Sequence, residues 1–180
     1  MENKTNTKVV TGKVRFSYAN IWEAKSINGG DEKFSVSLII QKSDTKTIAE
    51  IKAAIEGAKQ EGKAKLGGKI PANLKLPLRD GDAERPDDEA YKNSYFVNAN
   101  SKDRPNVVDK NVRAILDQSE VYSGCYGRAS ITFYAFNQNG NKGIACGLQN
   151  IQKLSEGEPL SGRSRAEDDF TTSDEDDFLS

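Results

Sequence analysis

The chain has 180 residues, enough for one domain with a sizeable core but too few for two comfortable ones. It has no histidine, which removes the usual general base, the Ser-His and Cys-His nucleophile pairs and most zinc and copper sites. Its two cysteines, Cys125 and Cys146, are too few for a disulfide framework, so we expect two thiols in the core. We predict no metal and no cofactor.

The net charge of −1 conceals a strong asymmetry along the chain. Residues 155–180 hold two basic and nine acidic residues, a net charge of −7, and residues 1–154 hold 24 basic and 18 acidic residues, a net charge of +6. A basic body attracts polyanions. The sequence therefore predicts a globular domain over residues 1–154 and a disordered acidic tail over residues 155–180.

No apolar run approaches the ~20 residues that cross a bilayer. Residues 1–8 also lack the apolar stretch of a secretory signal. We therefore expect a cytoplasmic protein with no membrane partner.

Alternating apolar and polar residues predict a first strand over residues 7–18, with four residues facing the core: Val10, Val14, Phe16 and Tyr18. Trp22, the only tryptophan, is assigned to the following loop. A glycine-containing turn at residues 28–31 leads to a second strand over residues 33–40, so these strands form a hairpin. Ser43 or Asp44 can cap a short amphipathic helix over residues 45–59 that plugs the open end of a sheet.

Residues 62–90 show no periodicity, and they end in a stretch rich in aspartate and glutamate. These carboxylates could bind a divalent metal, but the glycine stands at the wrong offset for a calcium loop. We favour a solvated loop in which Arg79 and Arg85 offset the acids. Further strands are predicted over residues 91–100, 107–108 and 112–116.

The most informative run is residues 121–137, which alternates strictly. One side is small and apolar and suits a core, whereas the other carries three tyrosines, a phenylalanine and an arginine. Rings interleaved with a cation suit the stacking of unpaired bases, although the same rings could pack against a covering helix or a second chain. Residues 143–154 are predicted to pair back against this strand across a turn at 138–142.

These patterns give a set of candidate DNA-binding residues that combines outward aromatics with basic residues. The set is Lys13, Arg15, Trp22, Tyr95, Arg104, Lys110, Arg113, Tyr122, Tyr126, Arg128 and Tyr134. A second candidate site, for protein partners, lies at the acidic end of the tail, where charge can steer and an apolar tip can fill a pocket. It consists of Asp174, Glu175, Asp176, Asp177 and Phe178.

The chain resembles the phage-encoded single-stranded-DNA-binding proteins of replication and recombination. Three stretches carry the resemblance: LPLRDGD at 76–82, YFVNANS at 95–101 and YSGCYGR at 122–128. The resemblance implies a mainly β, OB-fold-like barrel, no catalysis, sequence-tolerant binding of single strands, and a tail that docks replication or recombination proteins. Two departures are that Leu179 and Ser180 follow the near-terminal phenylalanine, and that the helix follows the second strand, which implies an elaborated barrel.

Two other functions remain open from the sequence. A carboxylate-metal nuclease or recombination enzyme would use acidic residues. An adaptor would use the aromatic strand for assembly, and a homodimer stays open as an assembly state.

Overall fold

The structure, a computed structural model, describes residues 6–26 and 30–160. The strands are β1 (Lys8–Val10), β2 (Val14–Ser26), β3 (Glu32–Gln41), β4 (Leu78–Asp80), β5 (Ser94–Ser101), β6 (Asn106–Val108), β7 (Tyr126–Gln138) and β8 (Asn141–Ser155). The helices are α1 (Thr45–Glu61) and the short α2 (Gly81–Glu84), with single 3-10 turns at Glu89–Tyr91 and Gln118–Glu120. No helix in these described ranges is long and apolar enough to cross a membrane.

Five of the strands close into a barrel in the order β2-β3-β5-β8-β7 and back to β2. All neighbours are antiparallel except β5 and β8, which run parallel through the pairs Ala99–Cys146 and Asn100–Gly147. The short strands β1 and β6 extend the sheet beyond β7 and β8. A five-stranded barrel of this connectivity is an OB-fold, so the predicted fold class is confirmed.

Strand β7 confirms the alternation that the sequence predicts over residues 121–137. Its odd positions from Gly127 to Ala135 are buried, and its even positions face outward, from Tyr126 to the exposed Tyr134. The strand starts later than predicted, however, because residues 123–125 are buried in succession and form a turn instead of alternating. Cys125 and Cys146 are buried free thiols, as predicted, and burial raises the pKa of both.

Helix α1 is the predicted amphipathic helix, and it lies between the second and third barrel strands. The Asp44 carboxylate caps it by accepting from the amide of Thr47 at 3.2 Å. Its apolar side belongs to the same core cluster as the inward residues of β3, so the helix plugs the barrel. Gly62 ends the helix against β7, where an added Cβ would lie 2.2 Å from that of Ala135.

Three predictions for the first strand were wrong, and all concern places where alternation fails. The predicted strand is two strands, β1 and β2, separated by the buried Thr11. Val10 and Tyr18 face outward, at 48% and 56% exposure. Trp22 lies inside β2 because the strand continues past a bulge. At this bulge, between the pairs Ser17–Ser37 and Asn20–Ser35, two residues of β2 oppose a single residue of β3.

The predicted strand over residues 112–116 was also wrong. This segment is a loop with a single bridge between Val108 and Ala114. The Asp109 carboxylate accepts from the amides of Asn111 and Arg113, which closes a turn in preference to a strand.

Residues 78–93 form a covering segment over the barrel instead of the solvated loop that the sequence favoured. Strand β4 pairs with β5, and the Tyr91 side chain is fully buried, with its hydroxyl 3.1 Å from that of Ser37 on β3. The ammonium of Lys42 anchors the segment by bridging the carboxylates of Asp80 and Asp82 at 2.9 and 2.8 Å. Hydrogen bonds from Lys42 hold the pKa of both carboxyl groups below the ordinary range and raise the pKa of Lys42 itself.

We expect Lys42→Gln to loosen the covering segment and to change how stability depends on acid. Because the pKa values of Asp80 and Asp82 are lowered in the folded state, their contribution is complete above the ordinary aspartate pKa of about 3.9 and disappears as the pH falls below it. The variant should therefore melt lower at neutral pH and lose less additional stability on acidification than the parent. Thermal melts at several pH values measure this, with Lys59→Gln, which removes an i,i+3 pair on α1, as the control. Identical acid dependence in parent and variant would contradict the anchor.

Candidate nucleic-acid interface

The outward positions of β2, β3 and β5 carry small polar residues in register, of which the serines are buried and the asparagines are partly or fully exposed. Cross-strand pairing places Ser17, Ser37 and Asn98 in one row, and Asn20, Ser35 and Asn100 in the next. The inward pair between them, Val36 and Ala99, belongs to the core. In an OB-fold barrel the second and third strands, here β3 and β5, provide the face that binds oligonucleotides.

One end of this face opens into a basic groove that brings together Lys13, Arg15 and Tyr126. The groove has a volume of about 590 Å³ and is also lined by Lys92, Asp44 and Glu89, so three basic residues outnumber two acidic ones. The Lys13 ammonium lies 5.2 Å from the centroid of the Tyr126 ring, and the Arg15 guanidinium carbon lies 5.4 Å from it. Cations at this distance are attracted to the ring face, so the tyrosine holds two positive charges at the groove wall.

A strap of residues 156–160 is docked beside this groove. The Arg15 guanidinium donates to the carbonyls of Gly124 at 3.0 Å and Glu158 at 2.7 Å. The Leu160 amide donates to the Ser123 carbonyl at 2.8 Å, and a Cβ on Gly124 would lie 2.1 Å from the Glu158 oxygen. The described body therefore reaches residue 160, beyond the end at 154 that the sequence suggested.

Further along the same face, an aromatic cluster forms around Arg85. Its guanidinium carbon lies 5.3, 5.0 and 5.3 Å from the ring centroids of Tyr18, Tyr91 and Phe96. Tyr91 and Phe96 meet edge to face at 5.0 Å and are almost wholly buried, with Ile39 and Leu160 packed beside them. Neither Arg85 nor Tyr18 is among the DNA-binding residues predicted from the sequence.

Trp22 and Arg104 lie together at a second place. The Arg104 guanidinium donates to the Trp22 carbonyl at 2.8 Å and lies 5.9 Å from the Phe34 ring centroid. The Trp22 indole is partly buried against the core and donates to the Val121 carbonyl at 3.2 Å. This arrangement leaves Trp22 less available for stacking than an exposed ring would be.

Lys110, Arg113 and Arg128 belong to a third surface. Arg128 donates from Nε to the Thr11 carbonyl at 2.8 Å and lines a shallow apolar hollow with Val112. Lys110 and Arg113 flank Val112 on the turn after β6. The structure thus divides the predicted cations among three places instead of one path.

The remaining tyrosines of the prediction have different surroundings. Tyr134 is the most exposed of them, at 44%, and burial of part of the ring raises its pKa. The Tyr122 hydroxyl donates to the Gly157 carbonyl at 2.8 Å and so holds the strap. The half-buried Tyr95 ring is covered by Lys42 and Lys52, at 5.2 and 5.9 Å from its centroid.

The predicted partner-binding residues lie outside the described residues and are Asp174, Glu175, Asp176, Asp177 and Phe178.

A closed OB-fold barrel with cations and rings on its outward β3 and β5 face defines a protein of the oligonucleotide-binding class. The family model of the single-stranded-DNA-binding protein of Enterobacter phage Enc34 matches residues 7–179. The chain therefore belongs to this family of phage single-stranded-DNA-binding proteins.

Individual relatives agree with this assignment. Protein p50 of Acyrthosiphon pisum secondary endosymbiont phage 1 is 32% identical over 184 residues, covering 96% of this chain and 98% of that protein. The single-stranded-DNA-binding protein of bacteriophage Enc34, solved in complex with single-stranded DNA, superimposes with a TM-score of 0.76 at 23% identity, covering 89% and 96% of the two chains. The corresponding protein gp2.5 of bacteriophage T7 has a TM-score of 0.59 at 14% identity, covering 89% and 98%. At these identities the solved structures establish a shared fold.

Proposed function

We propose that this protein binds single-stranded DNA without sequence preference, along the outward face of β2, β3 and β5. The observation that carries the proposal is the basic groove in which Lys13 and Arg15 flank Tyr126, continuous in the sheet with rows of serine and asparagine. Cations that follow a backbone and rings that stack on bases are the two components of sequence-tolerant binding. Membership of the Enc34 family supports the same function.

The three groups of cations need not contribute equally. Lys13 and Arg15 line a groove, and Arg104 sits beside Trp22. Arg128 instead lines an apolar hollow with Val112, and Lys110 and Arg113 lie on the same turn as Val112. We propose that the first two groups contact phosphates. We also propose that the protein is not an enzyme and acts in the host cytoplasm, where it protects single strands during phage replication or recombination.

Binding should weaken markedly as salt rises, because neutralised phosphates release counterions. Each neutralised phosphate contributes about −0.7 to the slope of log affinity against log salt, so three give a slope of about −2. Anisotropy of a labelled oligonucleotide across a salt series measures the slope. Lys13→Gln should make it shallower by about 0.7, and Lys110→Gln is the matched control. A salt-independent affinity would refute the electrostatic groove.

The same oligonucleotide discriminates the proposal from the two alternatives. A carboxylate-metal nuclease would cleave it when magnesium is added, and an adaptor would leave it unbound. In the described residues no three acidic or cysteine side chains come together as a metal site. Gel analysis after incubation with and without magnesium therefore accompanies the titration.

Tyr126→Ala should weaken binding by about 1–3 kcal/mol, the loss measured for one base-stacking ring. The ring also holds Lys13 and Arg15, so its removal loosens the groove wall. Tyr126→Phe retains the ring and should bind almost normally. Should Tyr126→Ala instead unfold the protein while residual folded molecules bind normally, the ring is part of the core and not of the site.

The acidic tail is proposed to compete with DNA for the groove and to dock partner proteins. The described chain ends at Leu160, packed beside Tyr91 and Phe96 on the proposed binding face, so the tail is tethered there. Residues 155–180 carry a net charge of −7 beside a body of +6. Tethering gives such a polyanion a high effective concentration at the groove.

Removing residues 166–180 should therefore raise affinity for single strands, most clearly at low salt where screening is weakest. Phe178→Ala should impair the binding of replication or recombination proteins and leave DNA affinity nearly unchanged, because it removes no charge. Titrating oligonucleotide into full-length, truncated and Phe178→Ala proteins at two salt concentrations compares these effects. Unchanged affinity of the truncated protein at low salt would show that the tail does not reach the groove.

A further inference from the structure

Tyr18 is held outward by a bulge whose backbone is fixed on both sides. Its φ is +47°, a conformation that a bulky side chain rarely adopts, and its side chain is 56% exposed. The Tyr18 carbonyl accepts from the amide nitrogen of the Asn20 side chain at 3.3 Å, and the Ala19 amide donates to the Ser123 hydroxyl at 2.9 Å. An exposed ring in a strained conformation suggests a functional constraint at this position.

Arg85 connects this ring to a rigid base. The guanidinium carbon lies 5.3 Å from the Tyr18 ring centroid and also lies 5.0 and 5.3 Å from the centroids of the buried Tyr91 and Phe96 rings. Its Nε is buried and has no hydrogen-bond partner among the described residues. Packing against rings, and not hydrogen bonding through Nε, therefore holds the Arg85 guanidinium beside Tyr18.

The surroundings of this pair suit a nucleobase. The neighbouring rows of the sheet present the amides of Asn98, which is exposed, and Asn100, which is partly exposed, and these can donate to and accept from base edges. A ring face and a guanidinium plane both stack on bases. In a duplex the base faces are hidden, so only an unpaired base could use such a site.

We propose that Tyr18 and Arg85 form a base-stacking clamp for single-stranded nucleic acid, separate from the tyrosines of β7. An unpaired base stacks on the Tyr18 ring, Arg85 supports that ring, and the asparagines of β5 lie on the neighbouring rows of the sheet. The clamp rests on the proposed function, since it specifies where on the β2, β3 and β5 face one base is held. The covering segment, which is an addition to the five barrel strands, supplies half of it.

The decisive variant is Tyr18→Gly, because glycine accepts the positive φ without strain. It should melt at the same temperature as the parent or higher, yet bind an oligothymidylate roughly 5- to 150-fold more weakly, the range expected for one stacking ring. Tyr18→Phe keeps the ring and should bind like the parent. Leu116→Ala, at a residue 91% exposed on the loop before β7, is the surface control and should change neither property.

An oligonucleotide of equal length with abasic sites isolates stacking from charge. The parent should bind it more weakly than oligothymidylate, and Tyr18→Gly should bind it as the parent does. Arg85→Lys keeps the charge but not the plane, and its loss should be less than additive with that of Tyr18→Gly if both act in one clamp. Additive losses, or unchanged oligothymidylate affinity of Tyr18→Gly, overturn the clamp. A parent protein that binds neither oligonucleotide overturns the proposed function itself.

Discussion

The parallel pairing of β5 with β8 is the constraint on which the outer surface depends. Only the pairs Ala99–Cys146 and Asn100–Gly147 join these strands, but they convert a curved sheet into a closed barrel. Small side chains make the approach possible, since Ala99 and Cys146 are almost wholly buried and Gly147 has none. Closure commits alternate residues of β3 and β5 to the core, and their neighbours are thereby fixed on one continuous outward face.

The covering segment turns that face from a plain polar surface into a shaped one. Its attachment is electrostatic at one end, where Lys42 bridges two carboxylates, and apolar at the other, where Tyr91 meets Phe96. Gly81, between the two bridged aspartates, lies so close to the other end of the segment that a Cβ would stand 2.3 Å from the Tyr91 carbonyl oxygen. The acidic stretch that invited a metal interpretation thus has a structural role, with an ammonium group already placed between Asp80 and Asp82.

The sequence predicted the features that depend on periodicity. The β7 alternation, the β2–β3 hairpin and helix α1 are all readable because burial repeats every two or every 3.6 residues. It could not predict the outward turn of Tyr18, since a bulge depends on how many residues of β2 oppose those of β3. Nor could it find Arg85, whose setting depends on rings from β2 and β5 as well as on Tyr91 of its own segment. The one available signal was Tyr91, an aromatic residue beside an acidic stretch.

The cations of the proposed interface are of two kinds, those in the open groove and Arg85 among its rings, and they give it two physically distinct components. Lys13 and Arg15 lie in an open groove, where their attraction for phosphate is screened as salt rises. Arg85 is packed among rings and acts through stacking, which salt screens little. The tail is a polyanion tethered at Leu160, so it can compete with phosphates for the groove cations. It carries no nucleobases and so cannot replace a base stacked beside Arg85. We therefore expect the proposed competition by the tail to weaken the charge-dependent part of binding and to leave the proposed base stacking largely unaffected.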